Sequence, residues 1–235
     1  MKSLANLSNP SKIQTNSSLD LILGGGIEKR NITQFYGPPG SGKTNISLNI
    51  AVQVAKQDKK VAYIDTEGGI SIDRVKQLSK NDFNDVANNI IVFEPNSFQE
   101  QSNNIKTIES LISSEQNNFD LIIIDSAVAL YRLKEGKNSN LLNMELGTQM
   151  GALSRMSRKH DLAVVITNQI YSTFEDENTS TVVPVGGTIL RYWSKIIVEL
   201  SKSDINGQRI ATLKRHKSIA EGTNIKFSIT NNGIE

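Results

Sequence analysis

Gly37-Pro38-Pro39-Gly40-Ser41-Gly42-Lys43-Thr44 matches the pattern G-x-x-x-x-G-K-[ST] at every fixed position. Asn31–Tyr36, just before it, is a strand candidate. Thr44–Gln57, just after it, carries Ile46, Leu48, Ile50, Ala51 and Val54 at helical spacing. Strand, glycine-rich turn and helix are the setting that a phosphate-binding loop requires. The glycines let the backbone curl so that its N–H groups point inward. Those amides and the helix N-terminus favour an anionic phosphate. Lys43 is placed to reach the β- and γ-phosphates of a nucleotide, and Thr44 to put its hydroxyl on Mg²⁺. Gly37, Pro38, Pro39, Gly40, Ser41, Gly42, Lys43 and Thr44 are therefore the candidate nucleotide-binding residues.

Outward from this loop the chain alternates strand and helix. Val61–Asp65, Ile90–Phe93, Leu121–Asp125 and Leu162–Thr167 are continuous apolar runs. Ser71–Ser79, Gln99–Ser113 and Leu141–Lys159 have helical texture, with Ser71 as an N-cap. Continuous apolar strands between helices predict an α/β fold with a mostly parallel sheet covered on both faces. After a polar loop over Tyr171–Gly187, the stretches Ile189–Leu200, Gln208–Arg215 and Asn224–Thr230 read as antiparallel strands. Asn206-Gly207 and Asn232-Gly233 are the turn dipeptides beside them. Residues 1–18 are polar and read as an arm; residues 19–235 read as one domain.

Three polar residues fall at strand ends on the side of the sheet where a phosphate loop sits. Asp125 closes the run Leu121-Ile122-Ile123-Ile124, the position of the carboxylate that holds Mg²⁺. Glu67 follows Val61–Asp65 and is placed to orient a water for in-line attack, with Asp65 as a rival for that role. Gln169, in Ile166-Thr167-Asn168-Gln169, is placed to touch the γ-phosphate. Lys43, Glu67 and Gln169 form the candidate catalytic set.

Composition sets limits. The chain has 235 residues, which fits one domain with a short appendage, and 37% apolar residues suffice for a sizeable core. A net charge of +2 does not by itself imply nucleic acid. Cysteine is absent, which excludes disulfides, thiolate metal sites and cysteine nucleophiles. With His160 and His216 as the two histidines, a histidine-rich metal site is excluded as well. The N-terminus has no apolar signal segment, and the longest apolar runs are about five residues against the ~20 that cross a bilayer. A cytoplasmic protein with no membrane partner is expected.

Asp20-Leu21-Ile22-Leu23-Gly24-Gly25-Gly26-Ile27, then the phosphate loop, Tyr63–Glu67, Asp125-Ser126 and Thr167-Asn168-Gln169 follow one another in an order that resembles the ATPase core of RecA-family recombinases, in the archaeal RadA/RadB branch. The resemblance runs from about Thr15 to the C-terminus. It implies a RecA-type fold, ATP and Mg²⁺ as cofactors, and DNA, with single strands favoured, as a partner. It also implies partnership with a RadA-type recombinase or other recombination proteins, with self-association open. Glu67 matches the family's catalytic glutamate, and Gln169 the residue that couples nucleotide state to a DNA-facing loop. Arg74 matches an arginine that stacks on adenine, a role that suits a planar guanidinium. No helical DNA-binding domain or polymerisation linker precedes residue 1, which makes the chain most like the short paralogue of that branch.

Two loops face DNA in the family. The first corresponds to about Tyr131–Asn140, with Arg132, Lys134 and Lys137; Tyr131 is suited to stack a base or to fill the core. The second corresponds to Tyr171–Gly187, where Glu175, Asp176 and Glu177 repel phosphate and no Lys or Arg occurs. Gly186-Gly187 match the paired glycines at that loop's end. Lys214-Arg215-His216-Lys217 stands where relatives carry an acidic, proline-containing cap over a neighbour's ATP. The run is suited to DNA or to a nucleotide's phosphates. These departures favour an accessory or regulatory ATP-binding, DNA-binding protein of recombination and repair with weak ATP hydrolysis. A filament-forming strand-exchange recombinase and a KaiC-like signalling ATPase that ignores DNA remain the alternatives.

Overall fold

The computed structural model describes residues 3, 8–114, 118–133, 139–172, 182–184 and 186–235. The chain opens with β1 (Lys12–Ile13), α1 (Leu19–Ile22) and β2 (Ile27–Glu28), followed by β3 (Ile32–Gly37) and α2 (Lys43–Ala55). Next come β4 (Lys60–Asp65), α3 (Ile72–Ser79), α4 (Phe83–Asn89), β5 (Ile90–Phe93), α5 (Phe98–Ser113) and β6 (Phe119–Asp125). The second half holds α6 (Ala129–Arg132), α7 (Ser139–Lys159), β7 (Ala163–Ser172), β8 (Val182–Pro184) and α8 (Gly187–Trp193). It ends with β9 (Ile196–Lys202), β10 (Gln208–Arg215), β11 (Asn224–Thr230) and β12 (Gly233–Ile234).

Among the described residues one sheet has the order β12-β11-β10-β9-β3-β7-β6-β4-β5, with β8 beside β7. The strands from β9 to β5 pair in parallel. β10, β11 and β12 extend that sheet antiparallel. The apolar runs are continuous because both faces are covered. In β6, Leu121 and Ile123 face the helices α1 to α4, while Ile122 and Ile124 face α5, α7 and α8. The expected α/β architecture with an antiparallel C-terminal part is what forms.

Ile189–Leu200 departs from expectation. The segment divides into α8 and β9, and β9 is antiparallel only to β10, running parallel to β3 on its other side. Thr188, Ile189, Tyr192 and Trp193 favour a strand locally. Packing overrides that preference: Leu190 is buried, and Trp193 lies against Gly151 of α7, where a Cβ would stand 3.4 Å from the indole. The N-terminal segment also takes part in the core. β1 pairs with β2, Ile13 is buried, and Thr15 donates its N–H and hydroxyl to Asp20.

Gly26 joins these pieces. Its φ is +131°, and a Cβ there would stand 2.2 Å from the Ile13 carbonyl oxygen. Gly26→Ala is expected to destabilise the protein by about 2–3 kcal/mol, read as a lower urea midpoint at unchanged slope. An unchanged midpoint would mean that β1 is not packed on β2.

Candidate functional site

The phosphate loop joins β3 to α2 at the C-terminal end of the parallel strands. Gly42 caps α2 with φ +102°, so the helix starts at Lys43 with its first amides toward the loop. Lys43 is 8% exposed and donates from Nζ to the carbonyls of Gly37 at 2.9 Å and Pro38 at 3.0 Å. Burial lowers its pKa, and the carboxylates of Glu67 and Asp125 oppose that shift. Both carboxylates thus bear on one ammonium group, as the strand-end placement anticipates.

Asp125 is held from both sides. Tyr63 donates its hydroxyl to Oδ2 at 2.9 Å, and Thr167 donates to Oδ1. Both donors are fully buried, and the Tyr63 phenol is pushed up in pKa first by burial and then by Asp125. A carboxylate anchored in this way presents fixed lone pairs at the strand end. Thr44 belongs to the same region. It lies against the turn after β4, where a Cβ on Gly69 would stand 3.6 Å from Thr44 Oγ1. Hard oxygen donors suit Mg²⁺, which takes few protein ligands and keeps waters and phosphate oxygens. The Ser41 hydroxyl is buried in the loop without a hydrogen-bond partner among the described residues. The donor set fits a nucleotide with Mg²⁺.

Asp65 and Glu67, the rivals for the water-orienting role, differ in their hydrogen bonding. Asp65 accepts from the backbone N–H groups of Glu67 at 3.2 Å, Gly69 at 3.1 Å and Ile70 at 3.0 Å. It shapes the turn. Glu67 is exposed, and its carboxylate accepts from Gln169 Nε2 at 2.9 and 2.8 Å. Gln169 accepts in turn from Arg132 Nη1 at 3.4 Å. One amide therefore bridges Glu67 to the start of the first loop.

Arg74 follows Ser71, whose hydroxyl caps α3 as expected by accepting from Arg74 N–H at 3.2 Å. The Arg74 guanidinium is engaged at its edge: Nη1 donates to the Thr230 carbonyl at 2.6 Å and to Gln77 Oε1 at 3.0 Å. Its burial lowers its pKa. Tyr131 resolves to the core. It is 5% exposed, meets Phe98 edge-on at 5.7 Å and donates to Asn143 Oδ1 at 2.7 Å. Lys134, Lys137 and the acidic residues Glu175, Asp176 and Glu177 lie outside the described residues.

The basic run is elsewhere. β9 enters the sheet beside the start of β3 (Thr33 opposite Ile196), and Arg215 pairs with Ile197 at that same end. Lys214–Lys217 therefore sits at the N-terminal edge of the parallel strands, away from the phosphate loop and from Arg132. Lys214 pairs with Glu199 at 3.3 Å, and Lys217 with the buried Glu28 at 2.7 Å. Arg215 donates to the carbonyls of Arg191 and Ser194. His216 Nδ1 accepts from the N–H groups of Ser218 and Ile219. Tyr192, Lys195, Arg215, His216 and Lys217 line a cleft of about 420 Å³. Tyr192 is 68% exposed, with the Lys195 ammonium 5.6 Å from its ring centroid. Tyr192 and Lys195 were not singled out in the sequence. The signal that marks them is an aromatic four residues, and a cation one residue, before a strand whose antiparallel partner returns to the basic run.

Among the described residues no helix is long and apolar enough to cross a membrane. The chain matches the Rad51 family over residues 8–235. It is 57% identical over its full length to the DNA repair and recombination protein RadB of Methanobrevibacter smithii, also across all of that protein. The RadB of Methanothermobacter thermautotrophicus is 51% identical, again with both chains fully covered. A crystal structure described as the RadB recombinase superposes with a TM-score of 0.78 at 34% identity, covering 94% of this chain and 98% of that one. Likeness of this extent, in sequence and in fold alike, has one reading: the chain belongs to the Rad51 family of RecA-type proteins, on its RadB branch.

Proposed function

We propose that the chain is an ATP-binding and DNA-binding protein of recombination and repair, acting as an accessory to a RadA-type recombinase and hydrolysing ATP slowly. The observation that carries this reading is the chain of contacts from Glu67 through Gln169 to Arg132. It joins the group that would orient water to the loop that would face DNA, so a change at one end is felt at the other. ATP with Mg²⁺, when bound, supplies the labile phosphoanhydride and neutralises its phosphates. Lys43 and the loop amides hold the phosphates, Thr44 and Asp125 are placed to hold the metal, and Glu67 to orient the attacking water. Arg74 offers the face of its guanidinium to the base, because its edge is occupied by the Thr230 carbonyl.

The cleft beside the basic run is the second DNA contact of this reading. An exposed ring among cations suits a single strand, whose bases are free to stack. Lys214 and Lys217 are partly neutralised by Glu199 and Glu28, so Arg215 and Lys195 carry more of the attraction. Tyr192→Ala is expected to weaken single-stranded DNA binding by about 1–3 kcal/mol and duplex binding much less, read by fluorescence anisotropy with labelled oligonucleotides. Equal losses on both would remove stacking from the account.

The reading as a whole is tested by ATP hydrolysis with and without single-stranded DNA, with Lys43→Ala as the blank. Slow turnover together with salt-dependent DNA binding is the expected result. Strong stimulation by DNA with concentration-dependent polymer formation favours a strand-exchange recombinase. Turnover without any DNA binding favours a signalling ATPase.

A further inference from the structure

β10 begins beside the phosphate loop and ends at the basic cleft. At its first end Arg209 Nε donates to the Gly40 carbonyl at 3.0 Å, and Arg209 Nη1 donates to the Gln208 carbonyl at 3.0 Å. Lys202 of β9 is directly opposite Arg209 in the antiparallel register. A Cβ on Gly40 would stand 3.5 Å from the Lys202 ammonium. Like charges placed opposite each other across a ladder repel. Neither cation has an ion-pair partner among the described residues. Two cations are thus brought together against the phosphate loop.

The direction of the Arg209 bond matters. Gly40 has φ +74° at the tip of the loop. The peptide between Gly40 and Ser41 is planar and trans, so its C=O and N–H point in opposite directions. The N–H of Ser41 points to the Pro38 carbonyl at 3.2 Å, the same oxygen that Lys43 Nζ reaches at 3.0 Å. The Ser41 amide and the Lys43 ammonium therefore share the concave side of the loop. Arg209 grips the opposite, convex side.

We infer that Arg209 is a positioning residue of the nucleotide site: by holding the Gly40 carbonyl outward it fixes the tip of the phosphate loop, where the Ser41 N–H closes a turn on the Pro38 carbonyl, with Lys202 adding positive potential behind the loop. The inference rests on the phosphate-loop reading proposed above and extends it to a residue 169 positions away in the chain. Arg209 does not touch the nucleotide; it acts through the backbone. A loop whose shape is fixed before binding contributes more than one that must rearrange on arrival, because less reorganisation is left to be done.

The test is titration of a fluorescent ADP into the unaltered protein and into Arg209→Gln, Arg209→Lys and Lys43→Ala, each melted thermally in parallel. Arg209→Gln is expected to weaken ADP binding roughly five- to tenfold, about the net effect of one hydrogen bond. Arg209→Lys restores part of the loss, because an ammonium group can donate to the same carbonyl. The loss persists in 0.5 M salt, where attraction acting only through space would be screened. With ATP, KM rises while kcat holds. Unaltered ADP affinity in Arg209→Gln, beside lost binding in Lys43→Ala, overturns the inference and leaves the phosphate-loop reading standing. Normal binding in Lys43→Ala overturns the reading beneath both. If Arg209→Gln melts too low to titrate, Arg209→Lys decides alone: a loss of about two- to threefold supports the inference and none overturns it.

Discussion

The Lys43→Ala protein is expected to lose nucleotide binding, a change of about 3 kcal/mol or more, or roughly a hundredfold in affinity. Lys43 is the buried cation of the loop, with its ammonium directed at Gly37 and Pro38 on the concave side. Burial disfavours its charge, and Glu67 and Asp125 partly restore it. A buried ammonium with its pKa already pushed down stands to gain most from a phosphate, whose negative charge offsets the cost of desolvation. Removing it leaves the loop amides but takes away the charge that, on the proposed reading, is placed to reach the β- and γ-phosphates. The fold should survive, since two carbonyls lose one donor each at the edge of the loop, which costs about 1 kcal/mol apiece. Calorimetric titration with ATP, beside circular dichroism, checks both parts. Intact binding in a folded Lys43→Ala protein would sink the nucleotide assignment.

Glu67→Gln is expected to leave ATP binding unchanged and to lower hydrolysis roughly 10²- to 10⁴-fold, the usual contribution of a positioned base. The substitution is nearly isosteric, and the new amide oxygen still accepts from Gln169. What goes is the ability to take a proton from water. Asp65→Asn is the informative contrast. Asp65 spends its carboxylate on three backbone N–H groups, so its change should loosen the turn that carries Glu67. That variant is expected to lose stability along with activity. If Glu67→Gln hydrolyses at the unaltered rate while Asp65→Asn stays fully stable and inactive, the two roles are reversed.

The parts of this protein that sequence determined are the local ones. The phosphate loop is legible because a glycine-rich turn, a lysine and a hydroxyl must be contiguous to wrap a phosphate. The parallel sheet is legible because strands covered on both faces read as unbroken apolar runs, as in Leu121–Asp125. Asp125 and Glu67 follow from strand ends, since parallel strands deliver their C-terminal ends to one edge, whereas Gln169 closes the parallel ladder opposite Gly37 inside a strand that continues to Ser172. The Ser71 cap is also local chemistry.

Only the tertiary structure decided the rest, and the physical reason is the same each time: contacts between segments far apart in the chain leave no periodic trace. Trp193 seated on Gly151 turned a segment of strand-favouring residues into α8. Tyr131 became a core residue because Phe98 and Asn143 receive it. Asp65 was assigned to the turn by three amides that compete for its oxygens. The parallel register of β9 with β3, and the antiparallel register of β10 with β9, carried Lys214–Lys217 to the far edge of the sheet, about 20 Å from Arg209 at the other end of β10, which bonds the phosphate loop. A basic run read in isolation has no address. Strand order and direction supply it, and they are set by how the whole set of apolar faces packs, not by any one stretch of residues.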